Sequence, residues 1–216
     1  MVIFPRGTLL TEMPRKRRVF FSFHYQQDVW RVNQVRNSWR YRHESEREAE
    51  GFYDGSIWER SKREGDESLK ALIREGIKNT SVTYVLAGTH TYQRRWVRYE
   101  IARSIVKGNG LLTVKIYNMR DRSSYTRMEG PNPLEYMGVY QVPDGRFLLA
   151  DRDDRGQWRT YADYTHAVQL PAGWEQPGGN TFIPLSLHGR IYDYVMHNGP
   201  SDFASWVATA AQEAAR

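Results

Sequence analysis

A chain of 216 residues with 40% hydrophobic and 13% aromatic residues can build the core of one folded domain, which excludes wholesale disorder. It holds no cysteine, so disulfide frameworks and thiolate metal sites are excluded, as suits a reducing cytoplasmic setting, and no run approaches the roughly 18 apolar residues of a membrane span. Of the net charge of +6, Arg15, Lys16, Arg17 and Arg18 supply +4, leaving +2 for the rest, so the body is nearly neutral and a nucleic-acid partner is disfavoured.

The opening residues MVIFPRGTLLTE read as neither domain nor signal peptide, because Pro5, Arg6 and Gly7 break their apolar stretch. Met13 opens MPRKRRVFFSF like a natural start, which places residues 1–12 upstream of translation and makes 1–18 a disordered basic tail before a single domain over 19–216. Val19 to Phe23 is β-branched and aromatic, a buried strand. Asp28 caps a helix with Val29, Val32, Val35 and Trp39 at near-helical spacing. Residues 41–65, charged and glycine-bearing around an aromatic cluster, read as a long functional loop. Asp66 starts a second helix with Leu69, Leu72, Ile73 and Ile77 as its stripe.

Val82 to Ala87 is apolar throughout, as in a strand covered on both faces. A helix from Tyr92 to Lys107 stops at Gly108 or Gly110, and Leu111 to Tyr117 gives a third strand. The alternation of strands and helices predicts an α/β fold with a parallel sheet. Prolines punctuate the second half and exclude long helices until near the end. There, residues 145–149 and 157–161 predict a hairpin around Asp-Arg-Asp-Asp-Arg-Gly, and Thr181 to Leu187 a further strand. Ser201 or Asp202 caps a last helix carrying Phe203, Trp206, Val207 and Ala210.

Familiar chemical motifs are absent. No GxGxxG follows the first strand, and neither GxxxxGK[ST] nor GxSxG occurs. The six histidines show no pair at metal-binding helical spacing, and Arg155 and Ala162 spoil the calcium-loop pattern begun at Asp151, so no metal site is predicted. The informative stretch is QRRWVRYEI, residues 93–101. On a helix, Trp96, Glu100 and Arg103 share a side just beyond the C-terminal end of strand 82–87, where open α/β sheets bind ligands. Two readings stand: a ligand-facing aromatic and carboxylate, or a core tryptophan beside a Glu100–Arg103 ion pair.

RVFFSFHY resembles the first strand of TIR domains, and WVRYE resembles their pattern of Trp followed four residues later by the catalytic Glu. RVNQVRNSW, the Asp54 to Trp58 stretch, NTSVTYVLAG, RRWVRYEI, GPNP and FASWV, in that order, resemble the TIR-like ThsB family of the bacterial Thoeris anti-phage system. That resemblance implies a flavodoxin-like α/β fold with an elaborated C-terminal half. It also implies an enzyme, a NAD glycohydrolase or ADP-ribosyl cyclase, for which NAD is substrate and no cofactor is needed. The product would be a cyclic ADP-ribose-type messenger that activates a separate ThsA-like effector.

Residue by residue, the resemblance puts Glu100 on the catalytic Glu and Phe20 on the strand-one Phe of the nicotinamide pocket. Ser22, His24, Asp54, Trp58 and Trp96 fall on the cleft walls. The 41–65 loop would cover the cleft or contact a second protomer in a homo-oligomer. Two rival classes are a non-catalytic TIR scaffold, for which Phe20 and Glu100 would be needless, and a nucleic-acid-associated defence protein, for which Arg15 to Arg18 would matter.

Overall fold

The computed structural model describes residues 17–41, 49–50, 63–179 and 181–215. In chain order its regular elements are β1 (Val19–Phe23), α1 (Tyr25–Tyr41), β2 (Ala49–Glu50), α2 (Asp66–Lys78), β3 (Val82–Ala87), α3 (Arg95–Lys107) and β4 (Gly110–Lys115). There follow β5 (Met137–Gln141), β6 (Phe147–Arg152), β7 (Trp158–Thr160), β8 (Phe182–Pro184), β9 (Arg190–Asp193) and α4 (Gly199–Ala214). The main sheet is parallel, in the order β2-β1-β3-β4-β9. A second, antiparallel sheet has the order β7-β6-β5-β8.

The two-residue period of β1 splits its side chains between two cores. Phe20 joins Leu69 and Ile73 of α2, Val97 and Ile101 of α3, and Val139, Leu149 and Ile183 of the second sheet. Val19 and Phe21 join Val32 and Val35 of α1 and Phe203, Trp206 and Val207 of α4. Tyr84 lies flat on Phe203, ring centroids 4.3 Å apart. Helices α1 and α4 therefore cover one face, and α2, α3 and the second sheet the other. This is a flavodoxin-like arrangement with an elaborated C-terminal region, and the chain order reverses between β1 and β3, a switch point at whose C-terminal strand ends open α/β sheets bind ligands.

Several boundaries differ from the sequence-based expectation. Helix α1 begins three residues before Asp28, because the His24 carbonyl accepts the Asp28 N–H at 3.0 Å and takes the capping position. Residues 41–65 are not all loop: Ala49–Glu50 pairs with β1. The tail is described only from Arg17, and Arg18 is already fixed by Ser81, whose N–H donates to its carbonyl at 3.0 Å; residues 1–16 lie outside the described residues.

A 3-10 turn, Thr91–Gln93, precedes α3, whose end at Gly108 has the left-handed φ of 78° that glycine tolerates. The 147–160 hairpin forms as expected, while Thr181 to Leu187 is a three-residue strand followed by a 3-10 turn. Helix α4 starts after Asn198, itself left-handed at φ 51°, so Ser201 and Asp202 lie in its first turn and donate their N–H groups to the Asn198 carbonyl.

Candidate active site

Glu100 sits on α3 and reaches across to the C-terminal end of β1. The helix presents Val97, Ile101 and Ile105 to the sheet at apolar spacing, and Glu100 is carried inward beside them, 5% exposed. Ser22, the fourth residue of β1 and fully buried, donates its hydroxyl to Glu100 Oε2 at 2.5 Å. Burial drives the Glu100 carboxyl up to about 8, and the Ser22 hydrogen bond, which favours the charged form, offsets part of that rise. Among the described residues no ion pair joins Glu100 to Arg103. The Arg103 guanidinium instead lies 5.4 Å from the centre of the Tyr164 ring, so the structural-pair reading of Glu100 does not hold.

The other expected site residues occupy varied settings. Phe20, two residues before Ser22 on the same face of β1, is fully buried in the core shared with α2 and α3. Trp96 is half-buried, edge-on to Tyr99 at 6.2 Å and beneath the Arg95 guanidinium at 4.7 Å. His24 closes β1 and is buried. Burial first, then the charges of Arg94 and His90, push it down to about 4, so its imidazole is neutral near pH 7. Its Nδ1 is buried and has no hydrogen-bond partner among the described residues. Asp54 and Trp58 lie outside the described residues.

Next to His24 stands a buried pair whose role the sequence did not reveal. Asp28 lies 3.6 Å from Arg31, and burial raises its carboxyl to about 6 against the opposing pull of Arg31, Arg127 and His90. Fully buried Arg31 also donates to the carbonyls of Met119 at 2.8 Å and Tyr125 at 3.0 Å, and to Asp121 at 3.3 Å. It thereby ties the segment after β4 to α1 at the C-terminal edge of the sheet. Thr89 extends the tie by donating to the Met128 carbonyl at 2.5 Å. A Cβ on Gly130 would stand 2.2 Å from the Thr89 carbonyl oxygen, so only glycine permits this approach. The spacing of Asp28, Arg31, Val32 and Val35 on one helical face was the available signal that both charges point inward.

Across α3 from Glu100, a cavity of about 710 Å³ is lined by Gln93, Arg95, Arg98, Asp151, Tyr161 and Asp163 among others. Its charges largely answer one another: Arg98 and Arg159 meet Asp151 at 2.9 and 3.0 Å, and Arg95 meets Asp163 at 2.7 Å. The adjoining acidic turn folds on itself, Asp153 Oδ1 accepting the N–H groups of Arg155 and Gln157. Among the described residues no cluster of three or more His, Asp or Glu could hold a metal ion, and no helix is long and apolar enough to cross a membrane.

The family model described as "Thoeris protein ThsB, TIR-like domain" matches residues 20–121, a span that contains Phe20, Ser22, Trp96 and Glu100. A protein of Bacillus cereus (strain MSX-D12) named "Putative cyclic ADP-D-ribose synthase ThsB1" is 42% identical over 192 residues, 88% of this chain and 98% of that protein. The likeness to that protein therefore extends well past β4 into the elaborated C-terminal region.

Proposed function

Because the chain belongs to the TIR-like ThsB family of the Thoeris system, we propose that it is an enzyme that breaks the nicotinamide–ribose bond of NAD and closes the remainder into a cyclic ADP-ribose-type messenger. The observation that carries this reading is Glu100: a buried carboxyl at the C-terminal end of β1, beside the switch point between β1 and β3, that accepts the Ser22 hydroxyl.

Cleavage sends the C1′–N bonding pair to the pyridinium ring, so nicotinamide leaves neutral and needs no general acid. The ribose is left as an oxocarbenium-like cation, which the Glu100 carboxylate stabilises electrostatically. A hydroxyl elsewhere in the same molecule then attacks C1′ and loses its proton, or an unprotonated ring nitrogen attacks through its lone pair and the ring sheds a proton from its exocyclic amine, and water must be excluded meanwhile. The product activates a separate effector of the ThsA kind. Since the carboxyl is held near 8, kcat/KM should climb as pH rises through that value.

Incubating the purified chain with NAD, with and without lysate from phage-infected cells, and following products by mass spectrometry tests the reading. Nicotinamide together with a product of NAD mass minus nicotinamide is the expected result. A product heavier by one water would mark a plain glycohydrolase. No nicotinamide under any condition would leave a TIR scaffold without catalysis.

A further inference from the structure

Ser22 is an unusual occupant of its position. It lies within VFFSF, fully buried on the face of β1 that packs against α2 and α3, where a β-branched apolar residue would fill the space. A buried hydroxyl is costly unless bonded, and the bond it makes is to Glu100 Oε2 at 2.5 Å. Ser22 has no exposed surface of its own, so what it touches is Glu100.

The turn of α3 carrying Glu100 is held separately. Ser104 donates to the Glu100 backbone carbonyl at 2.7 Å and lies 2.6 Å from the Thr83 hydroxyl of β3. The backbone of that turn is thus tied to β3, and its carboxyl to β1. Three rotatable side-chain torsions lie between Glu100 Cα and its oxygens, so the backbone tie alone does not orient the carboxylate.

We propose that Ser22 is a positioning residue of the reaction: its hydroxyl fixes the Glu100 carboxylate in the orientation that meets the forming oxocarbenium. This rests on the NAD-cleavage reading above. Among the described residues, burial and Ser22 act on Glu100's ionisation, so the same hydroxyl also helps the carboxylate to form.

The test compares nicotinamide release from NAD by the full chain as wild type, Ser22→Ala, Ser22→Cys, Ser22→Thr and Thr83→Val, across pH 6 to 10, with melting temperatures alongside. Ser22→Ala should lower kcat roughly tenfold or more at pH 7, move the rising limb of the rate profile to higher pH, and change KM little. Ser22→Cys, with a weaker donor, should shift the limb in the same direction, and Ser22→Thr, which restores the hydroxyl, should return it. Thr83→Val should lower the melting temperature yet keep the wild-type limb. An active wild type whose Ser22→Ala variant keeps both its kcat and its limb overturns the proposal. So does a Ser22→Ala variant whose rate falls only in step with its stability. A wild type that releases no nicotinamide at any pH overturns the functional reading itself, and this inference with it.

Discussion

Replacing Glu100 by Gln should stabilise the fold at alkaline pH and leave it nearly unchanged in acid. The folded carboxyl titrates at about 8 against an ordinary value of 4.5. Between those values the folded chain keeps a proton that the unfolded chain has released, so stability falls as pH rises. The contribution is intact below 4.5 and fully lost above 8. A shift of this size corresponds to roughly 5 kcal/mol, an upper bound because relaxation and water entry reduce it. Gln cannot ionise, and its carbonyl oxygen can accept the Ser22 hydroxyl in place of Oε2. Urea unfolding of both proteins from pH 4.5 to 9 should therefore give nearly equal free energies at the acid end. At pH 9 the variant should be ahead by about 2–5 kcal/mol. Taking the difference between the two cancels the other titrating groups, including Asp28 and His24. A difference that stays flat across the range would mean that Glu100 ionises as an ordinary surface carboxyl, and would refute the reasoning.

Three further outcomes follow from the packing. Phe20→Ala should cost about 3–5 kcal/mol in urea unfolding, as for any fully buried aromatic, so its effect on nicotinamide release has to be measured where the variant is still folded. Arg31→Met should cost about 3 kcal/mol or more, because Asp28 loses its cation and the segment around Tyr125 loses its anchor; faster tryptic cleavage at Arg120, Arg122 or Arg127 would show the release. Gly110→Ala would bring a Cβ to 2.2 Å from the Ala210 carbonyl oxygen, and should lower the melting temperature by displacing α4, at a cost of roughly 1–3 kcal/mol.

The central parallel strands were legible because VFFSF and VTYVLA are buried on both faces and carry continuous apolar sequence. Helices α2 and α3 declared themselves through apolar spacing and the left-handed Gly108. Strand β9 escaped notice because Arg190-Ile191-Tyr192-Asp193 is a four-residue edge strand whose first two residues are exposed. Strand β5 was hidden by Gly138, a residue depleted in strands, which is needed here because the Trp158 ring would stand 2.9 Å from its Cβ. At the site, the position of Glu100 could be read from its offset to the core stripe of α3. Its bond to Ser22, 78 residues away, could not, because it depends on which face of β1 meets α3. Asp28 reads as a cap because an acidic residue near a helix start ordinarily faces solvent, whereas in the fold it is buried beside Arg31.

On the proposed reading, the Glu100 carboxylate is the group through which this ThsB-family chain would cleave NAD. The most direct measurement is nicotinamide release from NAD at pH 8 by purified wild type and Glu100→Gln, each first shown to melt cooperatively. Turnover by the wild type, with the variant about 10²–10⁴-fold slower and melting no lower, is the predicted result. A Glu100→Gln protein that releases nicotinamide at the wild-type rate would contradict it.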